Sequence, residues 1–155
     1  MKFRYLLVAL LASFGLIGTL WASPAQAAAS YGTYKYEGSY PTATPCNGSF
    51  FQPSTRPTKS ITYKGYTMRL KYYYHGNCGS FARIEGAPSG KCWAYLDRSD
   101  DGGRTWAYVN EPVDAGINFA YTKMGNNLNG RLSRAALVCN FDGGAREVVL
   151  RTSWY

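Results

Sequence analysis

The sequence predicts an all-β protein, a single disulfide-stapled antiparallel β-sandwich or partly open barrel. Three observations carry this. Residues 66–72 alternate with period two, the chain is rich in glycine (17) and tyrosine (14), and it holds an even set of four cysteines. Alternation marks strands with one buried face. Tyrosine favours strands, and glycine favours the turns between them.

The first 27 residues read as a signal peptide. Lys2 and Arg4 form a basic start, Leu6 to Trp21 carries no charge, and Ala25-Gln26-Ala27 supplies the small residues a signal peptidase needs. The apolar run is shorter than the roughly 18 residues of a bilayer span. The expectation is therefore cleavage and a secreted, extracellular protein with no transmembrane anchor. Residues 28–45, rich in Ala, Ser, Tyr, Thr and Pro, form a lead-in segment, and 46–155 form the β-rich domain.

The strands follow in order. Thr33 to Glu37 is a candidate first strand. Asn47 to Lys59, with Gly48, Pro53 and Pro57, reads as a loop. In Tyr66 to Tyr72, Tyr66, Met68, Leu70 and Tyr72 share one face and Thr67, Arg69 and Lys71 the other. Phe81–Ile84, Cys92–Leu96, Arg104–Val109, Ile117–Tyr121 and Arg146–Thr152 complete the set. Residues 127–139 admit two readings. Leu128, Leu132, Ala135, Ala136 and Cys139 suit one face of a short helix near 127–136, whereas Gly130 and the end of the stretch suit a strand.

Export turns the cysteines toward disulfides, and four cysteines allow three pairings. The expected pairs are Cys46–Cys78, the nearest N-terminal two, and Cys92–Cys139, which spans the C-terminal half. The spacings are too long for CxxC redox or zinc chemistry, and one histidine argues against a His-rich metal site. No Gly-rich phosphate loop or calcium-loop spacing occurs, so no cofactor and no metal is expected.

Ser99-Asp100-Asp101-Gly102-Gly103-Arg104-Thr105-Trp106 fits Ser-x-Asp-x-Gly-x-Thr-Trp and resembles the Asp-box, a turn motif of sialidases and other β-propeller proteins. The resemblance implies a structural turn built on Ser99, Asp101, Gly103, Thr105 and Trp106, away from any active site. Asp101 would accept backbone N–H groups of its own turn, and Trp106 would pack under a hairpin of 92–98 and 104–109. One box is too little for a propeller.

Three further stretches are similar to a family of small secreted bacterial domains, catalogued as domain of unknown function 2690. They are Gly38-Ser39-Tyr40-Pro41 leading to Cys46; Met68 to Tyr73 leading to Cys78-Gly79-Ser80-Phe81-Ala82-Arg83-Ile84; and Tyr121-Thr122-Lys123-Met124 followed by Arg134-Ala135-Ala136 and Cys139. The family often carries Cys, Asp and Trp where Tyr36, Tyr40 and Phe81 stand here. The resemblance implies an exported, disulfide-bonded, β-rich domain, leaves Cys46–Cys78 as the natural pair, and implies no catalytic residues.

Function is read from what remains. The leader takes two of the 17 basic residues and none of the nine acidic ones, so the rest of the chain is basic. Such a protein is drawn to anionic surfaces. The basic residues form no run, which argues against nucleic acid as a partner. Tyr72, Tyr73 and Tyr74 offer a candidate binding surface suited to sugar stacking or a protein interface. The leading expectation is a non-enzymatic protein that binds an anionic cell-envelope polymer or another secreted protein. The alternative is a small hydrolase or toxin, such as a ribonuclease using His75 with Glu85 and Arg83.

Overall fold

The computed structural model describes residues 35–155. The signal-peptide reading and the Thr33–Tyr34 part of the first candidate strand fall outside the described residues. Residues 35–38 form a turn instead of a strand, because Gly38 reverses the chain at φ +80° and Glu37 turns inward to an arginine.

Eight strands follow a 3-10 turn at Pro41–Ala43: β1 Lys59–Tyr63, β2 Tyr66–His75, β3 Gly79–Glu85, β4 Cys92–Ser99, β5 Ala107–Pro112, β6 Phe119–Tyr121, β7 Leu132–Cys139 and β8 Glu147–Arg151. They form two antiparallel four-stranded sheets, ordered β1-β2-β3-β6 and β5-β4-β7-β8. The sheets do not close into a barrel. Met68, Leu70, Tyr72 and Ile84 of the first sheet share one core with Leu96, Ala135 and Leu137 of the second. The molecule is the sandwich of the two expected architectures. Among the described residues no helix is long and apolar enough to cross a membrane.

Local chemistry explains the boundaries. Lys64 and Gly65, both at positive φ, make the two-residue turn that pairs Tyr63 with Tyr66. β1 is a five-residue edge strand with only Ile61 and Tyr63 half-buried; Ser60-Ile61-Thr62-Tyr63 alternates, but over a short run. Gly79 opens β3 at φ +96°, where a Cβ would meet the Gly125 carbonyl oxygen at 2.3 Å.

Of the two readings of residues 127–139, the short helix near 127–136 is corrected and the strand at the end of the stretch holds. Residues 127–131 are irregular and β7 begins at Leu132. β7 lies between β4 and β8 and is buried on both faces. Ala135, Leu137 and Cys139 enter the main core, while Ala136 and Val138 lie under Trp93, Tyr95 and Tyr108. Burial on both sides removes the polar alternation that would have marked a strand.

Both disulfides pair as expected, Cys46–Cys78 and Cys92–Cys139. Cys92 and Cys139 are direct cross-strand partners on β4 and β7, with Cα atoms 4.1 Å apart. Cys46–Cys78 ties the N-terminal segment to the β2–β3 turn.

The Asp-box stretch is the turn between β4 and β5. One Asp101 carboxylate oxygen accepts the N–H groups of Arg104 (3.0 Å) and Thr105 (2.9 Å), and the other accepts the Thr105 hydroxyl at 2.7 Å. These donors are used inside the turn, so β5 starts at Ala107 rather than Arg104. At Gly103 (φ +92°) a Cβ would meet Trp154 Nε1 at 2.4 Å. Trp106 lies on the outer side of the second sheet, where the Arg134 guanidinium sits between it (4.6 Å) and Trp154 (3.9 Å).

Those hydrogen bonds, first the Thr105 backbone N–H, lower the Asp101 pKa from 3.8 to about 2. A depressed carboxyl pKa stabilises the fold above the unfolded value, and that stabilisation is lost as pH falls through the folded value. Thermal unfolding followed from pH 5 to pH 2 should show a decline that Asp101→Ala reduces, and Asp101→Ala should lower the melting temperature at pH 7. Carboxyl titration by NMR should place Asp101 near the bottom of the aspartates.

Candidate functional site

The outer face of the first sheet carries the candidate site. β2 turns Arg69, Lys71 and Tyr73 away from the core that takes Met68, Leu70 and Tyr72. The antiparallel register sets Lys71 opposite Arg83, Tyr73 opposite Phe81, and Arg69 opposite Glu85; β6 adds Tyr121 beside Arg83 and Phe119 beside Glu85. Residues far apart in the chain thereby share one surface.

Part of this face is covered by the N-terminal segment. Pro41, Thr42, Asn47, Gly48 and Phe50 form one wall of an open cleft of about 210 Å³, and Tyr73, Phe81, Arg83 and Tyr121 form its floor and other wall. Tyr73 stacks on Phe81 with centroids 4.9 Å apart, and Phe50 meets Phe81 edge-on at 5.0 Å. The Arg83 side chain keeps 39% of its surface exposed, so its charge is reachable from solvent. Beyond Tyr121 a second cleft opens between β5 and β6, lined by Tyr40, Glu111, Asp114, Ile117 and Phe119. Tyr40 and Tyr121, edge-on at 6.0 Å, stand between the two.

Like charges directly across a ladder repel. Glu85 relieves the Lys71–Arg83 pair, at 2.8 Å from Lys71 Nζ and 2.9 Å from Arg83 Nε. Burial pushes the Glu85 carboxyl up, but the hydrogen bond and charge of Lys71 and the charge of Arg83 outweigh it and hold the pKa below its ordinary value. With Arg69 included, the face keeps three cations against one carboxylate.

The N-terminal wall is held by a buried ion pair. The Glu37 side chain is fully buried against Arg98 of β4. Its second oxygen accepts from Asn126 Nδ2 at 2.5 Å, and Arg131 stands 3.7 Å away. The Gly38 N–H donates to the Met124 carbonyl, and the Met124 N–H donates to the Ser39 carbonyl. Residues 35–45 are therefore built into the domain.

The residues singled out from sequence separate. His75 lies at the β2–β3 turn, paired with Gly79, whereas Glu85 ends β3. Six residues of strand rise place them about 20 Å apart along the hairpin. Arg83 lies beside Glu85, so the ribonuclease trio does not converge. Tyr72 is corrected from surface to core. It is fully buried, with its hydroxyl 2.6 Å from Ser133 Oγ in a polar network that includes Ser80 and Asn127. Tyr74 is half-buried against Phe51 and Tyr155. Of the three tyrosines, Tyr73 reaches the cleft. Sequence reasoning missed Phe50, Tyr121 and Glu37. The alternation of β2 already placed Arg69 and Lys71 on the solvent face, but nothing local signalled the N-terminal wall.

These features define a class: a disulfide-bonded β-sandwich with an aromatic and cationic cleft on one outer face. No protein-family model matches the chain, and no curated protein or solved structure matches it.

Removing one partner of a buried pair leaves a poorly compensated charge. Glu37→Ala should therefore cost about 3 kcal/mol in urea unfolding, and Glu37→Gln, which keeps an acceptor, should cost less. Loss of protection from amide exchange in residues 38–50 should accompany the Ala variant.

Proposed function

We propose that this chain is a secreted, non-enzymatic protein that binds an anionic cell-envelope polymer on the outer face of its first sheet. The observation that carries the reading is the register-driven gathering of Arg69, Lys71 and Arg83 beside the aromatic cleft of Tyr73, Phe81 and Tyr121. Clustered cations attract an anionic chain, and ring faces and edges pack against its sugar or alkyl units. Two disulfides accord with folding in an oxidising compartment.

Co-sedimentation of the protein with purified anionic wall polymer and with an uncharged polysaccharide tests this. Retention should be strong on the anionic polymer at low salt and should fall as salt rises. Arg83→Ala and Tyr73→Ala should each weaken it about tenfold, equivalent to about 1.4 kcal/mol. Equal retention of the wild type and both variants, or none on the anionic polymer at low salt, refutes the proposal.

A further inference from the structure

We infer that Cys46, His75 and Cys78 form a Zn²⁺ site once the Cys46–Cys78 bond is reduced, so that disulfide and metal are alternative staples of the same two turns. The inference is independent of polymer binding. Among the described residues this is the group of three metal-ligating side chains whose donor atoms all lie within 4.8 Å of one another.

The donors come from two tight turns. His75 and Cys78 belong to the β2–β3 turn, where the Cys78 N–H donates to the His75 carbonyl at 3.1 Å. Cys46 opens a turn whose Ser49 returns both its N–H (2.9 Å) and its hydroxyl (2.7 Å) to the Cys46 carbonyl. His75 Nδ1 accepts the Asn77 N–H at 3.2 Å, so this nitrogen is the unprotonated one; it faces Cys46 Sγ at 3.3 Å, and ligation would turn its one lone pair from the Asn77 N–H to the metal. Sulfur and nitrogen ligands of a tetrahedral zinc lie about 3.5 Å apart, given bonds of about 2.3 and 2.0 Å. That pair already has the required spacing. The two sulfurs must part by about 2 Å to reach zinc–thiolate geometry. The Cα separation of 6.4 Å allows this without moving strands.

Burial selects the ion. Cys46 and Cys78 are nearly enclosed, with Phe50 and Phe81 beside them. Two thiolates with a divalent cation make a neutral site, whereas a monovalent cation would leave a buried negative charge. Three protein ligands leave a fourth position for water.

The chemistry balances with a dithiol as reductant. Its two sulfurs join as a disulfide, the Cys46–Cys78 bond breaks, and its two protons pass to the cysteines. Zn²⁺ then displaces both protons to solvent, forming two Zn–S bonds and one Zn–N bond. Cys92–Cys139 has no such option, since both cysteines are fully enclosed as direct partners on adjacent strands.

The test reduces the protein anaerobically with dithiothreitol, removes the reductant, and titrates with Co²⁺ and then Zn²⁺. The expected result is a thiolate-to-cobalt charge-transfer band saturating at one Co²⁺ per chain, erased by one equivalent of Zn²⁺ and absent from the oxidised protein. His75→Ala should bind about tenfold or more weakly. The double variant Cys46→Ser, Cys78→Ser, which keeps Cys92 and Cys139, should show no band. If reduction unfolds the chain, Zn²⁺ should restore its β-sheet circular dichroism. No band, a band retained in the double variant, His75→Ala binding as tightly as wild type, or unfolding that Zn²⁺ does not reverse would each overturn the inference.

Discussion

The Glu37 carboxylate holds together what the rest of the molecule uses. It is buried against Arg98 on the second sheet, yet it belongs to the segment that lies over the first. Asn126, in the connection between β6 and β7, takes its other oxygen. One side chain thus joins the N-terminal segment, a central strand and an inter-sheet connection. Burying a carboxylate is costly unless its oxygens are paired, and here both are. The cleft wall of Pro41, Thr42, Asn47, Gly48 and Phe50 follows directly from this anchor, closed at its far end by Cys46–Cys78.

The two outer faces of the sandwich are finished differently. On the second sheet, arginine and tryptophan cover one another. Arg134 lies between Trp106 and Trp154, Arg146 lies over Trp93 at 3.9 Å, and Asp97 is buried under Arg134 (2.8 Å) and Arg151 (3.4 Å). Burial raises the Asp97 pKa even against two guanidiniums, a measure of how dry that layer is. On the first sheet, the covering segment stops short and leaves Tyr73, Phe81 and Arg83 around an open cleft. There Glu85 pairs with both Lys71 and Arg83.

Much of the fold was legible because its signals are local. Met68, Leu70 and Tyr72 alternate with polar neighbours, and they are the inward side chains of β2. The Asp-box residues predicted a turn between two strands, and Asp101 makes it with hydrogen bonds inside the turn. β7 was ambiguous because Ala136 and Val138 are covered by Tyr95, Trp93 and Tyr108 from other strands. β1 was missed because Ile61 and Tyr63, which alternate with Ser60 and Thr62, make only a short run. Tyr66 shares the alternation of β2 but sits at its exposed end, stacked on Phe141.

By itself the sequence determined the all-β class, the strands whose one face is buried and the β4–β5 turn; among three possible disulfide pairings it favoured the one that the fold adopts. Each depends on residue type at short spacing or on cysteines that must pair. Only the tertiary structure decided which basic residues share a face, because register acts across strands distant in the chain. It also decided that Tyr73 lines a cleft while Tyr74 packs against Tyr155, and that His75 keeps company with two cysteines rather than with Glu85. Those outcomes depend on which surfaces meet, and no local spacing records that.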